Sequence, residues 1–109
     1  MKTQRAAWIW VPMPEKKYLG LASVDADGWF RIEMVDPIPN RLDDECYGES
    51  SGAKTIKQGV ARFVRGMLAD RKKYFGDMNW RPSRRTLRKL WKGRAERRKD
   101  IMRMRRETE

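Results

Sequence analysis

Hydrophobic and polar residues alternate along the first third of the chain, which predicts β-strands. Aromatic and β-branched residues dominate residues 4–11, and a second apolar segment covers residues 18–24. Residues 29–35 alternate between two faces, one with Phe30, Ile32 and Met34 and the other with Trp29, Arg31, Glu33 and Val35. Gly28, in the turn at residues 25–28, can take a left-handed conformation, so the second and third strands should form a hairpin.

The spacing of apolar residues becomes helical after residue 54. In residues 55–75 they recur at every third or fourth position and form one face: Ile56, Val60, Phe63, Val64, Met67, Leu68 and Phe75. Thr55 and Gln58 fit a capping box, and Gly76 suits the C-terminal end. A second helix is predicted over residues 82–105, with an apolar stripe that fades after Gly93.

These elements predict an α+β fold. A small three-stranded antiparallel sheet at residues 4–35 should be packed by one amphipathic helix and followed by a basic C-terminal helix that projects from the body. Residues 36–40 contain two prolines and should end the sheet, and residues 41–52 should form an acidic loop. We therefore divide the chain into a core at residues 1–80 and a basic helical tail at residues 81–109.

The charge of the chain is concentrated at its C-terminal end. The sequence has 26 Lys and Arg against 15 Asp and Glu, a net charge of +11. Residues 80–106 contain thirteen of the cations and only two acids, so this segment alone carries a charge equal to that of the whole protein. Such a field attracts a polyanion, and nucleic acid is the most common one. The sequence therefore predicts DNA or RNA as a partner.

A helical wheel aligns most of these cations in one long stripe. The residues predicted to contact phosphates or bases are Arg84, Arg85, Arg88, Lys89, Lys92, Lys99, Arg103 and Arg106. Trp29 and Arg31 share a strand face and could assist by stacking and charge. A solvated or protein-binding helix would show similar charges, so both alternatives stay open. Membrane binding would need a wide apolar face opposite the cations, which this segment lacks.

Residues 81–91 resemble the recognition helix of helix-turn-helix proteins. In that family a Ser opens the helix, and Thr-Leu-x-x-Leu docks it on the preceding helix. The resemblance implies Ser83 as the cap, Leu87 and Leu90 as core residues, and base or phosphate contacts by Arg84, Arg85 and Arg88. The chain departs from the family at Asp77 and Arg81, near which a small residue and a Gly are usual, and its connection is longer.

The composition excludes several kinds of chemistry. The chain has no His, which removes imidazole bases and His-containing zinc sites. Its one Cys, Cys46, forms no internal disulfide and fits a reducing compartment, so we expect a cytoplasmic location. A nuclease centre of Asp36, Glu15 and Lys17 would lack an ordered motif and a cleft. We expect no enzymatic activity, no cofactor, no bound metal and no membrane association.

Two functions from different classes follow. The first is a non-enzymatic nucleic-acid-binding protein that uses the basic helix on the phosphate backbone. The second is a small phage-type regulator or inhibitor that binds a host protein of the nucleic-acid machinery, such as a nuclease, a polymerase or a CRISPR-type effector. The apolar residues Ile101, Met102 and Met104 distinguish them, because a protein groove would use these side chains and nucleic acid has little use for them.

Overall fold

A four-stranded antiparallel meander forms the centre of the protein. The computed structural model describes residues 5–40 and 43–108. Strands pair in chain order, β1 (Arg5–Pro12), β2 (Lys17–Val24), β3 (Phe30–Asn40) and β4 (Asp43–Ser50). The predicted α+β class with an antiparallel sheet is confirmed, but the sheet has four strands rather than three.

The fourth strand replaces most of the predicted acidic loop. β4 pairs with β3 from Phe30 opposite Ser50 to Asn40 opposite Asp43, and residues 41 and 42 of the proposed loop lie outside the described residues. The acidic residues of β4 led to the prediction of a loop, because strands usually carry β-branched and aromatic residues. On an edge strand, however, charge is useful, since it discourages another sheet from pairing there.

The third strand also continues past its predicted end at residue 35. Its pairing with β2 stops at Met34 opposite Gly20, and its pairing with β4 shifts register between Glu33 and Ile38. Pro37 lies within this shift, so it takes no place in the paired ladder. Pro37 and Pro39, which were predicted to end the sheet, instead lie in the part of β3 that has separated from β2.

One face of the sheet is covered by α1 (Ile56–Phe75). Both predicted ends are confirmed: Thr55 accepts a hydrogen bond from the Gln58 N–H, and Gly76 takes a left-handed φ of 75°. The capping box itself is formed only in part, because the Gln58 side chain accepts from the Lys54 N–H rather than from that of Thr55. α1 lies close to the sheet at Gly59, because a Cβ atom there would lie 2.1 Å from the Phe30 ring. Gly66 has no such neighbour. The core beneath α1 contains Val11, Tyr18, Phe30, Ile32 and Met34.

The basic C-terminal segment forms two helices and packs against both faces of the sheet. It consists of α2 (Arg84–Leu90), a 3₁₀ turn (Trp91–Gly93) and α3 (Arg94–Thr108). Leu87 and Trp91 pack with the core beneath α1, whereas Ile101 is 4% exposed and packs with Leu21 and Val35 on the opposite face. The expectation of a projecting helix is therefore wrong. It failed because Ile101 and Met102 alone continue the apolar stripe where α3 meets the sheet.

A buried ion pair connects α1 to the turn between β1 and β2. The side chain of Arg71 is fully buried, and its guanidinium donates to both carboxylate oxygens of Glu15 at 2.7 and 2.8 Å. It also donates to the carbonyls of Pro39 and Trp80, and Tyr18 donates its hydroxyl proton to Glu15. Five segments of the chain therefore meet at this ion pair.

We predict that Glu15→Ala costs about 3–5 kcal/mol of unfolding free energy, because it leaves a buried guanidinium without its counter-charge. Chemical denaturation followed by tryptophan fluorescence measures this loss. The double variant Glu15→Leu with Arg71→Met should recover most of it. Equal stability of Glu15→Ala and the wild type would contradict the role of the pair.

The same pair makes stability depend on pH. Burial raises the pKa of Glu15, but the hydrogen bonds from Arg71 and Tyr18 outweigh it and the pKa is lowered overall. The folded state therefore favours the carboxylate. Its contribution is complete above the unfolded-state pKa of about 4.3 and is lost as the pH falls below that value. Denaturation at pH 7 and pH 3 should show this loss in the wild type, and a smaller one in the double variant.

Candidate nucleic-acid interface

The basic segment crosses from one face of the sheet to the other where β2 and β3 separate. Asp36 occupies this gap. Its carboxylate accepts a hydrogen bond from the Leu19 N–H at 2.8 Å, and its other oxygen lies 2.5 Å from Arg94 Nε. Arg97 donates to the backbone carbonyl of Met34, which lies beyond the last β3–β4 pair before the register shift. One arginine of the basic segment therefore donates a hydrogen bond to the sheet backbone, and a second forms an ion pair with the carboxylate that accepts from the Leu19 N–H.

Trp91 fixes the turn between α2 and α3. Its ring lies edge-on to Tyr18, with centroids 6.2 Å apart, and Lys16 Nζ lies 3.2 Å from its ring centroid. Burial lowers the pKa of Lys16; Asp36 opposes this shift and Arg94 adds to it. On the opposite face, the guanidinium of Arg98 lies 4.9 Å from the Trp8 ring centroid. These contacts hold the basic segment on the body of the protein.

Most cations of the segment are exposed to solvent. Of the thirteen Lys and Arg in residues 80–106, three are partly buried: Arg94, Arg97 and Arg105. The other ten are exposed, and they include all eight predicted contact residues: Arg84, Arg85, Arg88, Lys89, Lys92, Lys99, Arg103 and Arg106. The geometry thus presents these side chains to solvent on α2, the 3₁₀ turn and α3.

The two acids of the segment do little to reduce this charge. Glu96 lies 3.9 Å from Lys99, and Asp100 lies 3.1 Å from Arg103, each one turn away on α3. All four side chains are at least half exposed, so water screens both pairs and they contribute little energy. A phosphate can therefore compete for Lys99 and Arg103.

The two predicted sheet residues occupy different environments. Trp29 is half-buried and precedes β3, with its N–H donated to Asp25 Oδ1. It therefore belongs to the turn rather than to the strand. Arg31 is exposed and lines a cleft between α3 and the sheet, together with Glu33 and Arg105. The structure thus brings Arg31, but not Trp29, to the helix that carries Lys99 and Arg103.

The helix-turn-helix resemblance holds only for the local sequence. Ser83 caps α2 by accepting a hydrogen bond from the Thr86 N–H, as the resemblance implies. However, α2 lies against β3, and Leu87 packs with the core of the sheet. A recognition helix would instead dock on the helix before it.

Sequence reasoning missed the residues that anchor the segment. Arg94 and Arg97 were counted as tail charges, and Asp36 and Glu15 were considered only for a nuclease centre. In the structure these two acids bind arginines that hold elements together. One feature of the sequence could have indicated this role. Asp36 is a single acid beside Pro37, at the point where β3 separates from β2.

No family model, curated protein or solved structure matches this chain. In the described residues, no helix is long and apolar enough to cross a membrane. The functional interpretation therefore depends on the geometry of the basic segment.

Loss of the Arg97 bond should destabilise the protein, whereas loss of an outward cation should not. Arg97→Ala should cost about 1.5–3 kcal/mol, the usual value for a hydrogen bond to a charged group. Lys99→Ala should change stability by no more than about 0.5 kcal/mol, because Lys99 is 76% exposed. Thermal and chemical denaturation of both variants provide the comparison, and equal stabilities would show that Arg97 does not anchor α3.

Proposed function

We propose that this protein is a non-enzymatic nucleic-acid-binding protein whose α2 and α3 hold the phosphate backbone. One observation carries the proposal: ten cations of the basic segment are exposed, while their helices are fixed to the sheet by Trp91 and Ile101. A helix with this density of like charges would be unstable alone. Here the packing beneath it supplies the stability.

The composition of the segment supports phosphate as the ligand. Arginine is the majority cation, and its planar guanidinium can donate two parallel hydrogen bonds to one phosphate. Release of condensed counterions from the nucleic acid then drives association. A surface that served only solubility would alternate cations with acids, and this segment has only Glu96 and Asp100.

Binding should therefore depend steeply on salt. If about five phosphates are neutralised on a duplex, a plot of log affinity against log salt concentration should have a slope of about −4 to −5. The triple variant Lys92→Ala, Lys99→Ala, Arg103→Ala should flatten this slope by about two units, because three exposed contacts are lost. Fluorescence anisotropy with a labelled duplex at several salt concentrations measures both quantities.

The control is a triple variant with the same net charge. Lys54, Lys57 and Lys72 are exposed at or in α1, away from the proposed surface. Their replacement by Ala should leave the slope nearly unchanged. Absence of binding at low salt, a slope near zero, or equal effects of the two triple variants would contradict the proposal.

A second candidate is binding to a partner protein of the nucleic-acid machinery. Ile101 and Met102 pack on the sheet, so they do not offer the free apolar tip that this function would use. A different surface, at β1, supports binding to a partner protein. An apolar groove of about 650 Å³ lies between β1 and α1, and Trp10 at its side is 55% exposed. β1 is also an edge strand with no charged residue after Arg5, so an extended apolar segment with flanking acids could pair with it near Lys57.

Binding of a partner protein at β1 should respond to different substitutions than binding of nucleic acid. After nuclease treatment, a partner that binds at β1 should be lost with Trp10→Lys, because the charge is placed in the apolar groove. It should be retained by the triple variant of Lys92, Lys99 and Arg103. Affinity capture with all three proteins makes this comparison, and the opposite pattern would assign the partner to the basic surface.

A further inference from the structure

A cleft separates the C-terminal half of α3 from the sheet. Its volume is about 270 Å³, just below the range of about 300–1,000 Å³ usual for ligand pockets. Leu21, Ile101 and Met104 supply apolar surface, and Arg31, Glu33 and Arg105 supply charge. The cleft therefore combines a surface for a flat ring with charged groups of both signs.

Two of these charged side chains have no close partner. The side chains of Arg31 and Glu33 form no hydrogen bond and no close ion pair with another residue in the described ranges 5–40 and 43–108. Burial raises the pKa of Glu33, while Arg97 and Arg31 oppose the shift from a distance. Glu33 is half-buried and lines the cleft, so a ligand with two N–H donors could replace the water at its carboxylate by directed hydrogen bonds.

The charged groups specify the ligand. A carboxylate has two acceptor oxygens and no donor when ionised. Among the four common bases, guanine alone has two adjacent N–H donors on its Watson–Crick edge, N1–H and the N2 amino group, which match those two oxygens. Arg31 is an exposed guanidinium beside the same cleft, and guanidinium groups suit phosphate oxygens.

We propose that the cleft binds one unpaired guanine nucleotide, with the guanine edge on Glu33, the ring against the apolar wall of Leu21, Ile101 and Met104, and a phosphate on Arg31. This inference deepens the proposed function and rests on it, since α3 carries both the cleft and the outward cations Lys99, Arg103 and Arg106. A base within a duplex cannot enter, because its Watson–Crick edge is already paired. The preferred nucleic acid is therefore single-stranded, or has an unpaired guanine.

The first test uses free nucleotides. Guanosine 5′-monophosphate should bind about tenfold more tightly than inosine 5′-monophosphate, which lacks only the N2 amino group, and than the adenosine, cytidine and uridine monophosphates. Titrations followed by NMR chemical shifts measure these affinities and show whether residues around Glu33 respond. Equal affinity for the guanosine and inosine nucleotides would overturn the proposal.

The second test removes the carboxylate with little change in shape. Glu33→Gln should abolish the preference for guanosine monophosphate and leave binding of the adenosine nucleotide unchanged. Glu96→Gln makes the same change of charge at an exposed position on α3 and should retain the preference. If the preference survives in Glu33→Gln, or if Glu96→Gln also abolishes it, the assignment to Glu33 is overturned.

The third test separates this inference from the proposed function. Single-stranded 12-mers with and without guanine should differ in affinity for the wild type and bind equally to Glu33→Gln. The triple variant of Lys92, Lys99 and Arg103 should weaken both 12-mers alike. Equal binding of both by the wild type would overturn the guanine site and leave the proposed function standing. Failure to bind any nucleic acid would overturn the proposed function, and with it this inference.

Discussion

The separation of β2 from β3 determines how the rest of the molecule is built. Beyond Met34 the third strand loses its neighbour on one side, and the backbone groups of an open sheet must find other partners. Asp36 and Arg97 supply them, one to the Leu19 N–H and the other to the Met34 carbonyl. Because Arg97 and the Asp36 partner Arg94 both belong to α3, closing the gap also fixes this helix on the sheet. The position of the outward cations follows from that attachment.

The arginines of this protein divide into two groups that sequence alone does not separate. Arg71, Arg94 and Arg97 contact acids or carbonyls inside the fold, whereas residues such as Arg88 and Arg103 face solvent. The first group is valuable because a guanidinium donates several hydrogen bonds in fixed directions, so one side chain can serve several carbonyl groups. The net charge therefore overstates the number of cations available to an anionic ligand, because arginines that make contacts within the fold are included in it.

The sequence predicted elements that are determined locally. The limits of α1 followed from Thr55, Gln58 and Gly76 because caps act within one turn, and Ser83 was identified in the same way. β4 was missed because its identity depends on pairing with β3, and its acidic residues have no intrinsic preference for a strand. The docking of α3 was missed because it depends on contacts between residues far apart in sequence, such as Ile101 with Leu21 and Arg97 with Met34. Of the candidate site, exposure of the cations was predictable from a helical wheel, whereas the cleft at Arg31 and Glu33 exists only through contacts distant in sequence.

The 3₁₀ turn at Trp91–Gly93 has a geometric consequence for any bound polymer. α2 packs with the core on one side of the sheet and α3 packs on the other, so the cations follow a path that bends around the body of the protein. Duplex DNA is stiff on this scale, since its persistence length is about 150 base pairs. A rigid rod can therefore lie along one arm of the path at a time. A flexible single-stranded nucleic acid can follow both arms. The length that it keeps in contact would then be set by the curvature of the protein surface rather than by the number of cations on it.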